Sequence, residues 1–296
     1  MVWRSFCMRL RTGVPLISEL QALQEGDEYR DHVEFNRKFL ARHSAALKKY
    51  GRHWGMDPFK LWSRRWEYPF AAGRVLDFCR LRVGDSPIKI LDAGSGVTYF
   101  PYYICDKIPR AQFICCDYDP SYDQMFRDIN AAEQLSATQP PRVNFLQASL
   151  QKLPIEDESL DAICCISVLE HTDNYAEIVD EFCRVLRPGG AFVLTFDLSL
   201  DGRFTLPKKT AADLLEKLKT RFNPPDDVNL ISELNRMHDT GVLTTDHVRQ
   251  TAPELLPWSM PVKIIKSFQD LLKGYGWTGG FRSRTVFCLD VRKPVR

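Results

Sequence analysis

The 296-residue sequence has no run of about 18 consecutive apolar residues, so we expect no transmembrane helix. Residues 1–9 also lack the unbroken apolar stretch of a secretory signal, and three early arginines are the only feature typical of an organelle-import sequence. With 44% hydrophobic and 26% charged residues, the composition is that of an ordinary globular protein. The length suits one large domain, or one domain with an added part.

The nine cysteines lack the pattern of a disulfide framework or of a zinc site. Their number is odd, no Cys-x-x-Cys occurs, and two pairs are adjacent within apolar runs, Cys115-Cys116 and Cys164-Cys165. Free cysteine behaves as a small hydrophobic residue. We therefore expect reduced and mostly buried thiols, no bound metal, and a cytoplasmic protein.

Charge is nearly balanced over the chain, with a net value of +2, but it is unevenly distributed. Residues 1–85 contain 16 Lys or Arg and 10 Asp or Glu, whereas residues 86–296 contain 24 and 28. The basic residues of the first part are interspersed with acids and form no cluster, as on a solvated helical surface. Nucleic acid is therefore not an expected partner, and neither is a membrane.

The periodicity of apolar residues changes at the turn Gly84-Asp85-Ser86-Pro87. Before this turn the spacing is helical, and it predicts a helix from Tyr68 to about Arg82. After it, short apolar runs alternate with helical segments. The runs predicted as strands are Ile88–Asp92, Ala111–Asp117, Val143–Gln147, Leu160–Val168 and Ala191–Phe196. We predict a helical cap over residues 1–85 and a second domain over 86–296, which carries a helical and loop insert around 223–261.

This alternation predicts an α/β fold, a Rossmann-like doubly wound sheet that is mostly parallel and has helices on both faces. Further predicted elements are helices at Tyr175–Leu186, Lys208–Lys219 and Val262–Lys273, and a terminal strand at Thr285–Val291. Such sheets bind ligands at the carboxyl ends of their strands. The residues directly after each predicted strand are therefore the candidates for function.

A glycine turn, Asp92-Ala93-Gly94-Ser95-Gly96, follows the first predicted strand. Such a turn lets a ligand approach the backbone and the amides at a helix N-terminus. The third glycine of a dinucleotide fingerprint is absent because residue 99 is tyrosine, and no Gly-Lys-Ser or Gly-Lys-Thr marks a P-loop. The acid two residues before Gly94 favours a ligand with a positive group over a pyrophosphate.

The second predicted strand ends at Asp117, which comes 21 residues after Gly96. A carboxylate at this position can accept hydrogen bonds from both hydroxyls of a ribose. Together with Asp92 and the glycines, it indicates a site for a nucleoside that carries a cationic tail. S-adenosylmethionine is such a ligand.

With these motifs the chain resembles the class I S-adenosylmethionine-dependent methyltransferases over about residues 86–200, and the predicted terminal strand also fits this resemblance. Further segments carry the resemblance in the family's order: Cys116-Asp117, Leu153-Pro154, Val168-Leu169-Glu170-His171 and Arg184-Val185-Leu186-Arg187-Pro188-Gly189-Gly190. The chain is also similar to a subset of the family with a Glu-Tyr-Pro segment, here Glu67-Tyr68-Pro69, and a later aromatic-Pro pair, here Phe100-Pro101.

The resemblance implies binding of S-adenosylmethionine by residues that match the family's motifs. Gly94 and Gly96 would line the methionine part, and Asp92 would bind its ammonium group. Asp117 would hold the ribose, and Tyr118 would pack on the adenine. Plain core packing is the alternative for Tyr118.

The adenine amino group is often held in this family by an acid four residues before the Leu-Pro pair. Here that position is Ser149, so the backbone amide of Leu150 is the expected contact instead. Tyr68 and Arg65 are expected to cover the carboxylate end of the cofactor, and helix packing is the alternative for this segment. The remaining candidate cofactor-binding residues are Ser95 and Ser167.

Methyl transfer from a sulfonium requires an aligned nucleophile, and orientation can supply on the order of 7–11 kcal/mol of the barrier. An oxygen nucleophile also needs a base. His171 is the candidate catalytic residue because it follows the fourth strand and titrates near neutrality; a role in shaping the site is its alternative. Glu170 is expected to be structural or to face the cofactor, and not to be catalytic, whereas Asp197 either faces the acceptor or caps a loop.

The predicted function is methyl transfer from S-adenosylmethionine to a small-molecule acceptor, preferably to oxygen, with the cap and the insert excluding water. No Asn-Pro-Pro-aromatic motif follows the fourth strand, so amino-group methylation of nucleic acid or protein is not predicted. Two alternatives stay open: an RNA or protein methyltransferase that uses the basic cap, and an inactive interaction protein that binds the cofactor. No oligomeric state is predicted.

Overall fold

Among the described residues of the computed structural model, six strands form one sheet between two layers of helices. The described residues are 10–50, 57–133, 141–203, 205–256, 260–272, 274 and 282–295. The strands are β1 (Ile88–Ala93), β2 (Ala111–Asp117), β3 (Val143–Gln147), β4 (Leu160–Ile166), β5 (Leu186–Ser199) and β6 (Arg284–Arg292). Their order is β3-β2-β1-β4-β5-β6, and all neighbours are parallel except β5 and β6. The predicted α/β fold with a mostly parallel sheet is confirmed.

Helices lie on both faces of the sheet. They are α1 (Ile17–Glu25), α2 (Asp27–Arg42), α3 (Ser44–Tyr50), α4 (Arg64–Leu81), α5 (Phe100–Lys107), α6 (Tyr122–Ala132), α7 (Tyr175–Val185), α8 (Lys208–Lys219), α9 (Leu230–Asn235), α10 (Thr245–Thr251) and α11 (Met260–Leu272). Short 3₁₀ helices span Pro58–Lys60, Leu169–His171, Arg236–His238 and Pro253–Leu255. Over the described residues, no helix is long and apolar enough to cross a membrane.

The side chains of β5 show how the sheet is buried on both faces. Ala191 and Val193 belong to the apolar cluster that contains the N-terminal helices, α5 and α6. Phe192 and Leu194 belong to the opposite cluster, with α7 and α8. Burial on both faces explains why the strands read as continuous apolar runs and not as alternating patterns.

The helix α4 begins four residues before its predicted start, so Pro69 lies inside the helix and not in its first turn. A proline in a helix interior costs about 3 kcal/mol or more because one backbone hydrogen bond is lost. The added turn buries Trp66 completely, and Phe70 is also almost fully buried. Burying such side chains contributes about 1.5–3 kcal/mol each and offsets the loss. Because α4 shares its core with the sheet, the domain boundary at residue 85 stays a prediction.

The outer edge of β6 is covered by two segments that are distant in sequence. Gly13 and Cys288 exchange backbone hydrogen bonds of 2.7 and 3.0 Å, and Asn223 and Arg292 exchange two of 2.8 and 2.9 Å. Paired backbone groups protect a sheet edge from association with other chains. The insert begins at Asn223, and its described part packs beside this edge.

The strand β5 begins five residues before its predicted start and includes the predicted turn Pro188-Gly189-Gly190. The pairing with β4 shifts register between Leu160 and Ala162, which accommodates these residues as an irregularity. A Cβ atom on Gly190 would lie 2.8 Å from the carbonyl oxygen of Arg187. Only glycine therefore allows the backbone at residue 190 to come this close to Arg187.

The described cysteines are free thiols, and all of them are buried except the half-buried Cys183. Two of them, Cys115 and Cys164, flank Asp92 on the neighbouring strands of the sheet. They give this carboxylate an apolar environment. Cys7, residue 273 of the predicted helix and residues 257–259 of the insert lie outside the described residues.

Candidate active site

A cavity of about 780 Å³ opens at the carboxyl ends of β1 to β4. The predicted binding residues that line it are Tyr68, Asp92, Gly94, Ser95, Gly96, Asp117, Tyr118, Ser149, Leu150 and Ser167. The predicted base, His171, lines it as well. The fold thus brings these residues together, although their roles toward a ligand stay predictions; the predicted Arg65 is not among the lining residues. No described residue of the insert lines this cavity, so a lid role for the insert has no support from its position.

The glycine turn after β1 bends over the end of β2. Gly94 and Gly96 have φ angles of 67° and 51°, in the left-handed region that favours glycine. The backbone amides of Gly94 and Ser95 donate to the carbonyl oxygen of Cys116 over 2.8 and 3.1 Å. A Cβ on Gly94 would lie only 2.6 Å from a methyl group of Val168. The turn therefore requires glycine both for its backbone angle and for its close packing.

Asp117 holds a fixed position at the end of β2. Its carboxylate accepts hydrogen bonds from the amides of Gly96, at 3.0 Å, and Tyr118, at 2.8 Å. The Tyr118 side chain is 75% exposed at the cavity rim. Its position contradicts the alternative that Tyr118 belongs to the core, and its ring is accessible to a ligand.

Asp92 lies at the floor of the cavity and is only 4% exposed. Burial, with a smaller contribution from the nearby Asp117, raises the pKa of Asp92 to about 7. A positive group beside this carboxylate would favour its ionised form. The electrostatics of the floor therefore suit a cationic ligand.

Ser149 and Leu150 follow β3 on the side of the cavity near Asp117. Ser149 is exposed, and its hydroxyl oxygen accepts a hydrogen bond of 3.4 Å from the amide of Gln151. Leu150 is half-buried. Gln147, the last residue of β3, and Gln151, in the loop after it, line the same wall. Neither is among the predicted site residues, because an exposed glutamine has no distinctive pattern in sequence.

The cation on the cavity wall is Arg64, not the predicted Arg65. Arg65 is absent from the cavity lining, and its Nε–H donates to the carbonyl oxygen of Phe59 over 2.7 Å. Successive residues of a helix point about 100° apart, so the register of α4 decides which arginine reaches the cavity. Tyr68 lines it too and packs on the rings of Tyr99 and Phe100, with centroids 5.4 and 5.7 Å away.

A buried polar network missed by the sequence analysis supports Arg64. Glu67 has no exposed surface and lies 2.6 Å from Arg64 Nη1. It also accepts hydrogen bonds of 2.6 Å from the hydroxyls of Ser167 and Thr195. Burial acts to raise the pKa of Glu67, but the Arg64 charge and these hydrogen bonds bring it below its usual value. Glu67 is therefore an ionised carboxylate.

Comparison with known proteins agrees with this geometry. Residues 91–194 match a family model described as a methyltransferase domain. Over 219 residues, the chain is 29% identical to a probable S-adenosylmethionine-dependent methyltransferase of Mycolicibacterium smegmatis, with 69% of this chain and 77% of that protein covered. The chain contains a class I methyltransferase domain whose cofactor is S-adenosylmethionine.

Two further relatives of this methyltransferase are similar over shorter stretches. A demethylmenaquinone methyltransferase of Deinococcus radiodurans is 29% identical over 109 residues, which cover 37% of this chain and 43% of that protein. A malonyl-[acyl-carrier protein] O-methyltransferase of Nitrosospira multiformis is 25% identical over 165 residues, covering 52% and 49%. The chain thus spans about half the length of these two relatives, or less.

His171 ends the 3₁₀ helix Leu169–His171, and its exposed side chain borders the cavity of the methyltransferase. The atoms packed around the ring lower the pKa of His171, and the charges of Arg64 and Arg284 act in the same direction, while Asp197 opposes them. A lowered pKa keeps the imidazole neutral at pH 7. It can then accept a proton.

Glu170 and Asp197 lie behind the cavity wall of the methyltransferase and are buried. The carboxylate of Glu170 accepts a hydrogen bond of 3.1 Å from the Asp197 amide, and burial raises the pKa of Glu170 to about 8, with help from the Asp197 charge. Asp197 forms an ion pair with Arg284. Neither carboxylate lines the cavity, so of the two interpretations of Asp197, contact with the acceptor has no support.

Proposed function

We propose that this methyltransferase transfers the methyl group of S-adenosylmethionine to an oxygen atom of a small-molecule acceptor. The observation that carries the proposal is that one cavity contains the predicted cofactor residues and continues to His171. Its volume of about 780 Å³ lies in the range of small-molecule sites. Beyond the cofactor residues, Val168, Thr172, Asn174 and Ile178 line the remaining wall, where an acceptor would bind.

The donor set of the cavity fits the cofactor. In the proposed arrangement Asp92 binds the ammonium group, Gly94 and Gly96 line the methionine part, and Asp117 accepts from the ribose hydroxyls. When bound, S-adenosylmethionine supplies a methyl group that is activated by a sulfonium. The chain's own residues hold the acceptor in line with that group, which is the main source of rate acceleration.

The other end of the cofactor is assigned in the same way. Tyr118 packs on the adenine, and Ser149 and the Leu150 amide meet its edge. Arg64, in place of Arg65, binds the cofactor carboxylate next to Tyr68. An arginine suits a carboxylate because its planar donors match the two oxygens.

His171 is the proposed general base. Its neutral imidazole would take the proton of the acceptor hydroxyl as the oxygen attacks the methyl group, and it would release that proton to solvent through its exposed side. An oxygen acceptor is favoured because a hydroxyl needs such a base. The relative from Nitrosospira multiformis is named as an O-methyltransferase.

A small acceptor is favoured over nucleic acid by the charges of the cap. Several of its arginines already pair with acids: Arg30 with Asp27, Arg37 with Glu34 and Arg42 with Glu133. Charges paired in this way leave less positive potential for a phosphate backbone. We also propose a reducing compartment such as the cytoplasm, where free thiols persist.

Calorimetric titration with S-adenosylmethionine tests the cofactor site, and absence of binding would overturn the proposal. Incubation with a methyl-labelled cofactor and a panel of hydroxyl, carboxyl, amine and RNA acceptors then tests the reaction. Label on a small hydroxyl or carboxyl compound is the expected result. Label on RNA, with binding that weakens steeply as salt rises, would favour the macromolecular alternative. Cofactor binding without transfer to any acceptor would favour an inactive binding protein.

A further inference from the structure

Glu67 joins three separate parts of the molecule at one buried point. It belongs to α4, while its hydrogen-bond partner Ser167 directly follows β4 and its partner Thr195 lies within β5, opposite Ile166. Its second oxygen contacts Arg64, one turn earlier on α4. Each of these three contacts measures 2.6 Å, and Glu67 has no exposed surface.

The Glu67 carboxylate contacts Ser167, whose backbone has an unusual conformation. Its φ of 51° lies in the left-handed region, which costs free energy for a residue with a Cβ atom. The Ser167 amide donates to the Thr195 carbonyl oxygen over 2.9 Å, and its hydroxyl donates to Glu67. Ser167 lines the cavity. Glu67 therefore supports a strained residue at the wall of the site.

The Glu67 carboxylate also contacts Arg64. Its Nη1 contacts both Glu67 and Ser167, so the guanidinium is restrained from two directions. The buried Nε has no hydrogen-bond partner among the described residues, and Arg64 lines the cavity. A restrained guanidinium whose buried Nε–H has no partner among the described residues is suited to binding an anionic group.

We propose that Glu67 is a positioning residue, which orients Arg64 and Ser167 for the carboxylate at the methionine end of the cofactor. This inference rests on the proposed function of the cavity. Glu67 does not touch the ligand; it acts through Arg64 and Ser167.

A buried ion pair outside the cofactor cavity offers a matched comparison. Arg74 lies on the same helix α4 and contacts Asp290 of β6 over 3.1 Å, with 7% and 5% of the two side chains exposed. Neither residue lines the cofactor cavity. If Glu67 were only structural, neutralising Glu67 or Asp290 would have the same effect on ligand discrimination.

The test compares S-adenosylmethionine with decarboxylated S-adenosylmethionine, which differs only by the carboxylate. Calorimetry on the wild-type protein should give about a 10- to 100-fold preference for the carboxylated ligand, as expected for one charge-assisted hydrogen-bonded contact. E67Q should reduce this preference to about 3-fold or less, while D290N should keep it. An E67Q protein with the full wild-type preference would overturn the inference, and so would equal losses in E67Q and D290N.

A milder pair of variants covers the case in which E67Q does not fold. T195V removes one donor to Glu67 at nearly constant shape, and T195S keeps the hydroxyl. The preference should fall about 3-fold or more in T195V and stay closer to the wild-type value in T195S; equal values would overturn the inference. If the wild-type protein binds neither ligand, the proposed function itself fails. If it binds both equally, only the assignment of the carboxylate to Arg64 and Glu67 fails.

Discussion

The substitution G94A tests the glycine turn at the proposed cofactor site. The backbone at Gly94 is left-handed, with φ 67°, and such a conformation costs a residue with Cβ about 1–2 kcal/mol. The new Cβ would also meet the two methyl carbons of Val168 at 2.6 and 2.7 Å, and overpacking of this kind costs about 1–3 kcal/mol. We therefore expect G94A to lower the free energy of unfolding by about 2–5 kcal/mol.

A second substitution separates the two causes. V168A removes both methyl groups that the new Cβ would meet, and the next atom, the Cβ of Val168, lies 3.2 Å away. In the V168A background, G94A should cost only the conformational part, about 1–2 kcal/mol. The two substitutions should thus show a favourable coupling energy equal to the overpacking cost, about 1–3 kcal/mol, in a double-mutant cycle.

Urea unfolding of the four proteins, with calorimetry of cofactor binding, measures both effects. We expect unchanged dependence of the unfolding free energy on urea concentration, since all four proteins should share one fold. The G94A protein should bind S-adenosylmethionine more weakly than V168A does. Additive losses, or a G94A protein as stable as the wild type, would refute the argument from close packing.

Three other predictions concern the charges of the site. Because the pKa of Asp92 is raised to about 7, the affinity for a cation should increase about tenfold for each unit by which the pH rises toward 7, and it should be constant above pH 7. A calorimetric affinity of the wild type that does not change with pH would contradict this. D92N should bind weakly at every pH. R64A should weaken cofactor binding about tenfold or more, whereas the neighbouring R65A should change it about 2-fold or less. Equal effects of the two substitutions in titrations would contradict the assignment of the cofactor carboxylate to Arg64. H171Q should lower kcat by about 10²–10⁴-fold with little change in cofactor affinity. An unaltered kcat on the identified acceptor would contradict the role of His171 as a base and would favour the alternative that it only shapes the site.

The elements that could be predicted are those whose signal is local in sequence. The strands β1 and β2 read as apolar runs because both faces of the sheet are buried. Their ends carry Asp92 and Asp117, and parallel strands place such ends at one edge of the sheet. The residues predicted at the strand ends, Asp92 and Asp117, therefore lie in one cavity, as the sequence pattern indicates.

Local sequence patterns could not predict which of Arg64 and Arg65 faces the cavity. Both residues precede the predicted start of the helix at Tyr68, and the actual helix begins at Arg64. A start moved by one turn places a different arginine against the cavity, since each residue turns the side chain by about 100°. The sequence around Pro69 favoured the later start, because proline is preferred in the first turn; tertiary burial of Trp66 overrode this preference.

The contact between Glu67 and Thr195 had no local signal at all, because 128 positions separate the two residues. A buried carboxylate is stable only when its hydrogen-bond partners are supplied by the tertiary structure. Glu67 was visible in the sequence only as part of a Glu-Tyr-Pro segment, whose tyrosine was assigned to the cofactor. The carboxylate beside it joins the cap helix to the sheet, so the same short segment contains a tyrosine at the cavity wall and the carboxylate that packs this wall against the sheet.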